Sequence, residues 1–398
     1  MARLSIDDLK VKGKRVIARV DFNVPLDENQ NITDDFRIRA ALPTIKKLLA
    51  DGAKLILMSH LGRPKGKVVP EQSLKPVAAK LQTHLDNKVT CAPDCVGDEV
   101  KALVDAMKEG EVLVLENLRF HAEETKNDPE FAAQLASLAD LYVNDAFGTS
   151  HRSHASTAGI AKYFKQCAAG YLLEKELRYL KDALDNPQKP YTAILGGAKV
   201  TGKIEIIEKL FGKVDNILIG GGMLFTFLKA QGYGIGKSLL EEDKIELAKE
   251  TLAKAEKYNC KIYLPTDVVV APELSENVPV DIVSFDAIPD DQLGVDIGPD
   301  TTMIYMQVIE SSKTILWNGP MGVFEITPFS TGTESVARKL AEVTAAGAIT
   351  VIGGGDSAAA MSKFGLADKV THISTGGGAS LELLAGLELE PINLITKK

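Results

Sequence analysis

Short runs of aliphatic and β-branched residues alternate with longer stretches whose apolar residues recur every three or four positions, from Lys14 nearly to the C-terminus. This alternation predicts repeated strand–helix–strand units around mostly parallel sheets, with strands apolar throughout because helices cover both faces. In the first half the predicted strands are KRVIARV (14–20), KLILMS (54–59), EVLVLE (111–116) and LYVND (141–145). The helices between them include DDFRIRAALPTIKKLLADG, closing at Gly52, and SLKPVAAKLQTHL. The stretch LLEKELRYLKDAL (172–184) has helical spacing, and DNPQKP then stops it with two prolines, which predicts a domain boundary there. Beyond it the alternation restarts at YTAIL (191–195) and is expected to continue to the end.

The two halves differ at the ends of their strands. Second-half strands run into glycines: YTAILGGAKV, NILIGGGML, TILWNGPMG, ITVIGGGDS and THISTGGGAS. In open parallel sheets ligands lie beyond the carboxyl ends of the strands, where glycine admits close backbone approach and helix N-termini offer unpaired N–H groups. This half is therefore predicted to bind phosphate. First-half strands end in RVDFNVP, SHLGRP, LENLRF and NDAFGTSHRSH. Arg63, Arg119 and Arg152, with His60 and His151, are expected to converge at one sheet edge, joined by Arg37 from the helix after the first strand. Guanidinium groups fit phosphate and carboxylate bidentately, so the expected ligand carries both anions.

Other polar residues suit a magnesium nucleotide. Asp356 comes after three glycines at a helix start, as either an N-cap or a magnesium ligand, and the glycines favour the ligand. Lys199 and Lys203, four apart, are expected on one face of a first helical turn, either as solvated helix lysines or as a pair whose charge a transferring phosphoryl group offsets. Glu325 is either a ribose acceptor or a solvated loop acid. QGYGIGKS ends like a nucleoside-triphosphate loop, but that motif requires glycine where Gln231 stands. No GxGxxG comes after a strand, and the glycine-loop, HRD and DFG set of protein kinases is missing.

Composition narrows the reading further. The chain has 398 residues, 45% hydrophobic and 25% charged, a length that favours two domains. A net charge of −8 argues against a nucleic-acid partner. No apolar run reaches the length of a membrane span. Arg3, Asp7, Asp8 and Lys10 interrupt the apolar core a secretory signal needs, so export is not expected. Cys91, Cys95, Cys167 and Cys260 match no zinc or redox spacing and are read as free thiols in a reducing compartment; the pair in CAPDC lacks a second pair nearby.

Together RVDFNVP, SHLGRP, NDAFGTSHR, GGAKV, WNGPMGVFE, GGGDS and STGGGASLE resemble, in order from residue 19 to 382, the motifs of the phosphoglycerate kinase family. One departure is Gly202, where the family commonly has an acidic residue before the second lysine. The resemblance implies an α/β fold of two Rossmann-like domains with mostly parallel sheets facing across a hinged cleft. An N-terminal domain (1–171, with a tail at 382–398 returning to it) would hold the phosphoglycerate. A helix and hinge (172–186) would lead to a nucleotide domain (187–381).

By the same resemblance, Asp21, Phe22, Asn23, Arg37, His60, Leu61, Gly62, Arg63, Arg119 and Arg152 would bind the triose ligand. Gly197, Lys199, Lys203, Gly221, Gly298, Asn318, Pro320, Glu325, Gly353, Gly354, Gly355, Asp356 and Ser357 would meet the nucleotide, with Asp356 positioning magnesium. Arg37, Lys199, Lys203 and the N–H groups of Gly376 and Gly377 would offset charge on the transferring group. The implied reaction is reversible transfer from 1,3-bisphosphoglycerate to ADP by a cytoplasmic monomer, a step of glycolysis and gluconeogenesis with no nucleic-acid or membrane partner. Its acceptor carboxylate is already ionised at neutral pH, so no general base is required. Two rivals are a different acyl-phosphate kinase, distinguished by its product, and a non-catalytic nucleotide sensor, distinguished by absence of turnover.

Overall fold

Two parallel sheets organise the chain, and each mounts its polar loops at the carboxyl ends of its strands. The computed structural model describes residues 3–185, 187–384 and 386–398. It forms two compact units, one running up to Arg178 and including Glu388–Lys398, the other Tyr179–Leu387. The helix Tyr171–Asp185 carries the chain from the first into the second. Residue 186, the end of the stretch predicted as hinge, lies outside the described residues.

The first unit contains β1 (Arg15–Val20), β2 (Lys54–Met58), β3 (Val89–Cys91), β4 (Val112–Val114), β5 (Leu141–Asp145) and β6 (Cys167–Ala169). They form one sheet in the order β3-β4-β2-β1-β5-β6, all pairs parallel. One row of the ladder runs Val114, Leu57, Ala18, Val143, Ala168. Successive side chains of a strand point to opposite faces. Val16, Ala18, Leu55 and Leu57 accordingly enter one core, and Ile17, Ile56 and Met58 enter the other. Because both faces are buried, the polar groups of this sheet are concentrated in the loops beyond its carboxyl edge.

The second unit repeats the scheme with β7 (Tyr191–Leu195), β8 (Asn216–Ile219), β9 (Lys261–Tyr263), β10 (Asp267–Ala271), β11 (Asp281–Ser284), β12 (Leu293–Ile297), β13 (Thr314–Asn318), β14 (Ile349–Gly353) and β15 (His372–Ile373). Its main sheet has the order β15-β14-β13-β7-β8-β9, all parallel. The row Ile219, Leu195, Asn318, Gly353 aligns the strand ends that carry glycines. The expected unbroken alternation is corrected here: β11, β10 and β12 form a separate antiparallel sheet. One face of an antiparallel sheet can remain in water; Asp281, Ile282 and Ser284 are exposed while Val268 and Val270 are buried. The strands β3, β6 and β9, three residues each, were not among the runs picked out in the sequence.

At the end of β5, Asp145 is completely buried and its Oδ1 accepts the N–H of Leu173 at 3.1 Å, in the first turn of the helix Tyr171–Asp185. Gly170 leaves room for this carboxyl group, since a Cβ there would lie 2.2 Å from Oδ1. Burial pushes the Asp145 carboxyl up to about 7, against its hydrogen bonds from the helix start. Its folded pKa lies above the unfolded value near 3.9, so the folded state holds the extra proton between those pH values. The stabilisation is complete below about pH 4 and is lost as pH rises through 7. Urea unfolding from pH 4.5 to 8 is expected to show a smaller loss of stability with rising pH in Asp145→Asn than in the parent; equal slopes would remove Asp145 as the source.

Candidate functional site

In the first unit, the loops after β1, β2, β4 and β5 meet at the carboxyl edge. Asp21, Phe22 and Asn23 come directly after β1, and the Phe22 N–H donates to Ser59 Oγ at 2.8 Å. Asn23 Oδ1 accepts the Gly62 N–H at 2.8 Å, which ties the β1 loop to the Leu61–Gly62–Arg63 turn after β2. Gly62 has φ +63°, and a Cβ there would lie 2.7 Å from the Gln72 side chain, so this turn needs glycine. Arg37, the second residue of the helix Phe36–Ala50, is ion-paired through Nη1 with the buried Asp21 carboxylate. Arg63 is exposed.

Arg119, after β4, is buried, with Nη1 donating to the Gly62 carbonyl at 2.9 Å and Nε left without a partner. Burial and the positive charges of Arg19 and Arg152 bring Arg119 down to about 10. His151 is brought down to about 4 by burial and the adjacent Arg152, whose Nε lies 3.0 Å from His151 Nε2. His60 is buried and held well below the ordinary histidine value by burial and by Arg19, Arg119 and Arg37, so it is neutral at pH 7.

Behind these groups lies Arg19, a residue inside β1 that strand periodicity assigns to the core and sequence reasoning did not select. It is completely buried, with Nε donating to Ser156 Oγ at 2.9 Å and Nη2 lying 3.1 Å from His60 Nδ1. Guanidinium only donates, so His60 Nδ1 accepts and the ring proton resides on Nε2. The counter-charge is Glu124, also completely buried, whose carboxylate accepts from the Ser156 hydroxyl at 2.6 Å and N–H at 3.0 Å. An arginine within an otherwise apolar strand was the available signal.

In the second unit, a cavity of about 350 Å³ is lined by Gly197, Gly221, Pro320, Glu325 and Asp356, which sequence reasoning selected. It is also lined by Phe225, Lys237, Leu239, Gly294 and Asp296, which it did not. Gly294 supports the Phe225 ring: a Cβ would lie 2.0 Å from its Cζ. The signal at Gly294 was weak, a single glycine inside β12. Asp296 is pushed up to about 7 by burial and accepts the N–H groups of Gly332 and Ile297.

The glycines divide into two groups. Gly196, Gly221 and Gly319 let neighbouring loops pack backbone to backbone: an added Cβ would lie 2.1 Å from Pro320 O, 2.4 Å from Gly197 N and 2.2 Å from Gly196 O, respectively. Gly355 faces open space, and Gly353 and Gly354 meet only the end of β13, chiefly Asn318 Nδ2 at 3.1 and 3.2 Å. In this second group Gly354 and Gly355 leave backbone open to a ligand, whereas Gly353 is buried at the end of β14.

Lys203 and Asn318 span the gap between the ends of β7 and β13, with Nζ donating to Asn318 O at 3.0 Å and Oδ1 at 2.7 Å. Burial brings Lys203 down to about 8, with the Asp356 charge acting in the opposite sense. The two lysines do not share a helical face, as the spacing suggested. The helix Lys203–Leu210 starts at the second lysine, because Gly202 turns the chain at φ +81°, and exposed Lys199 stands in the loop before it. The Gly202 departure therefore suits its backbone, and a side chain there would meet nothing within 4 Å.

Other expectations are also refined. Gly354, with φ +90°, is the N-cap of the helix Gly355–Lys363, which leaves Asp356 exposed in its first turn. Buried Ser357 accepts the Gly319 N–H at 2.6 Å. Gly298 is outside the cavity lining: it caps the helix Pro299–Ser311 and lies against the Asp267 carboxylate. The Gly376 N–H donates to Ser374 Oγ at 3.1 Å, while Gly377 adopts φ +48° ahead of the helix Gly378–Leu384.

Two further features lie elsewhere in the first unit. Asp94, Cys95 and His121 come together, but Asp94 Oδ1 already accepts from His121 Nε2 at 2.7 Å and the Cys95 N–H at 2.6 Å, and Cys91 is not among them. An open hollow beside Tyr163 and Phe164 has Asp140 and Lys165 as its charged lining, with Asp140 paired to Arg15. Among the described residues no helix is long and apolar enough to cross a membrane.

The chain matches the phosphoglycerate kinase family model over residues 6–387. It is 58% identical over 392 residues to the phosphoglycerate kinase of Chlorobium limicola, covering 98% of this chain and 99% of that protein. The same enzyme from Chlorobaculum tepidum is also 58% identical over 392 residues, with the same coverage. Among solved structures, phosphoglycerate kinase from Coxiella burnetii superposes with a TM-score of 0.86 at 43% identity, covering 99% of this chain and 98% of its own. That from Pyrococcus horikoshii gives 0.85 at 32% identity, covering 98% of each chain. With its fold, its two contrasting strand-end sites and these matches, the chain belongs to the phosphoglycerate kinase family and is a phosphotransferase.

Proposed function

We propose that the chain carries out reversible, magnesium-dependent phosphoryl transfer between 1,3-bisphosphoglycerate and ADP, with the arginine-rich edge of the first unit holding the triose ligand and the cavity of the second holding the nucleotide. The observation that carries the division is the difference in polar supply. The first edge gathers Arg19, Arg119, Arg152 and His60 with an unpartnered buried Arg119 Nε, whereas the second offers open glycine backbone, Lys203 and an exposed carboxylate. An anion between Arg119 and Arg152 supplies the acceptor that Nε lacks and relieves the repulsion that lowers Arg119. His60 contributes a neutral Nε2–H donor, oriented from behind by Arg19.

In the second unit, Asp356 fits magnesium: its carboxylate is a hard oxygen donor, exposed on the cavity wall, with no hydrogen bond or ion pair among the described residues. Bound with the nucleotide, the metal neutralises charge on the phosphate oxygens. Lys199 and Lys203 supply positive charge, Lys203 from a side chain held by Asn318 and Lys199 from an exposed one. Glu325 lines the same cavity, which supports its assignment to a ribose hydroxyl. Gly377 and Arg37 complete the groups assigned to the transferring phosphoryl, and Gly376 joins them only by releasing Ser374.

The same reading takes the chain to act as a monomer. The four cysteines are free, which supports a reducing, cytoplasmic setting. A coupled assay with 3-phosphoglycerate and Mg-ATP tests the activity, and light scattering at one chain mass tests the monomer.

Arg37→Ala is expected to lower kcat by about 10²–10³, the cost of removing one preorganised electrostatic contact, with nucleotide affinity nearly unchanged. Near-normal turnover would remove Arg37 from the mechanism. Calorimetry with each ligand alone is expected to show that Asp356→Ala weakens Mg-ATP and leaves 3-phosphoglycerate intact, whereas equal weakening of both would assign Asp356 a structural role. Lys203 is charged below about pH 8 and neutral above it in the free protein. The profile of kcat/KM for Mg-ATP, which reports the free enzyme, should therefore fall through about pH 8. The fall in kcat should come at higher pH, because bound phosphates favour the charged lysine; coincident limbs would count against Lys203 touching the nucleotide.

A further inference from the structure

The loop that presents the two lysines has no capping side chain of its own. The helix Lys203–Leu210 starts on Gly202, which offers no side-chain hydrogen bond. The N–H groups just before it are satisfied from a distant part of the sequence, by Glu241. Its Oε2 accepts the N–H of Val200 and, at 3.1 Å, that of Thr201; its Oε1 accepts the Thr201 hydroxyl at 2.6 Å. One carboxylate thus takes three hydrogen bonds from two adjacent residues lying between Lys199 and Lys203.

The segment that carries Glu241 also builds the cavity wall. Lys237 and Leu239 line the cavity, and the Leu239 side chain rests against Gly222. Between them, Ser238 Oγ accepts the N–H of Gly294, another lining residue, at 2.9 Å. The Glu241 N–H is itself anchored on Thr226 Oγ1 at 3.3 Å, in the helix Met223–Ala230. A short stretch, 237–241, therefore joins the wall of the nucleotide cavity to the loop of the lysines.

We infer that Glu241 is a positioning residue for phosphoryl transfer, fixing the Lys199–Lys203 loop on the wall of the nucleotide cavity by hydrogen bonds to Val200 and Thr201. This rests on the proposed role of the lysines. Glu241 touches neither reactant; it acts by holding the backbone from which Lys199 projects and against which the helix of Lys203 begins. Its work is that of an acceptor, so a glutamine can perform it: the amide oxygen accepts both N–H groups and the amide nitrogen donates to the Thr201 oxygen.

The test compares Glu241→Ala, Glu241→Gln and Thr201→Ala with Lys199→Ala and Lys203→Ala in the coupled assay, with hydrogen exchange of the Val200 and Thr201 amides measured on the same proteins. A misplacement of about 1 Å can cost 10²-fold in rate, so Glu241→Ala is expected to lose on the order of 10- to 100-fold in kcat, with KM for 3-phosphoglycerate within about twofold. Its two amides should exchange faster, Glu241→Gln should restore most of both readouts, and Thr201→Ala should fall between. If Glu241→Ala does not fold, slow amide exchange and near-parent kcat in Glu241→Gln, beside reduced kcat in Thr201→Ala, support the assignment. Parent-like kcat in Glu241→Ala beside impaired lysine variants overturns this inference and leaves the lysine assignment standing. Parent-like kcat in both lysine variants overturns the two together. A Glu241→Gln variant as impaired as Glu241→Ala overturns positioning by hydrogen bonds.

Discussion

Burial of both faces of each main sheet is the constraint that dictates where the chemistry is placed. Where helices cover the two sides, a strand interior has little room for an unpaired polar side chain, and parallel strands bring their carboxyl ends to the same edge. The row Val114, Leu57, Ala18, Val143, Ala168 and the row Ile219, Leu195, Asn318, Gly353 show the alignment on which each set of loops is mounted. Arg19 in β1 is a fully buried charge within a strand, and it is accommodated because Glu124 shares Ser156 with it and His60 accepts from it.

Both edges lower the proton affinity of their basic groups. Burial lowers Arg119, Lys203 and His60, and in the first unit neighbouring positive charges add to the effect. Each of these shifts stores a preference for an incoming anion, since an anion reverses the electrostatic part of the cost. The arrangement also explains why a neutral histidine stands among arginines. A second fixed charge at His60 would face Arg19 at 3.1 Å, whereas the neutral ring passes a donor forward.

Glycine does two different things in the second unit. Gly196, Gly221 and Gly319 allow loops after β7, β8 and β13 to touch through their backbones, forming a rigid frame. Gly354 and Gly355 leave backbone uncovered beside that frame, after Gly353 has closed β14. Rigidity and access are thus assigned to different strand ends, which suits chemistry that depends on alignment.

The sequence by itself determined the α/β class, the main strands, the division of basic and glycine-rich strand ends, and the family, because each is written in local periodicity or in contiguous motifs. The strand-end positions of His60, Arg119, Arg152, Gly354, Gly355 and Asp356 were legible for that reason: each comes after a recognisable strand. Sequence spacing misplaced Lys199 on a helix, since four residues suggest one helical turn unless Gly202 reverses the backbone. Only the tertiary structure decided that Arg19 turns from β1 to His60, that Glu124 balances it, that Gly294 and Phe225 share one cavity wall, and that Glu241 caps a loop about 40 residues earlier in the chain. These are contacts between residues far apart in sequence, made by side chains whose local context is an ordinary strand, helix or loop. Their partners are fixed by strand order and register, quantities that no single stretch of residues encodes.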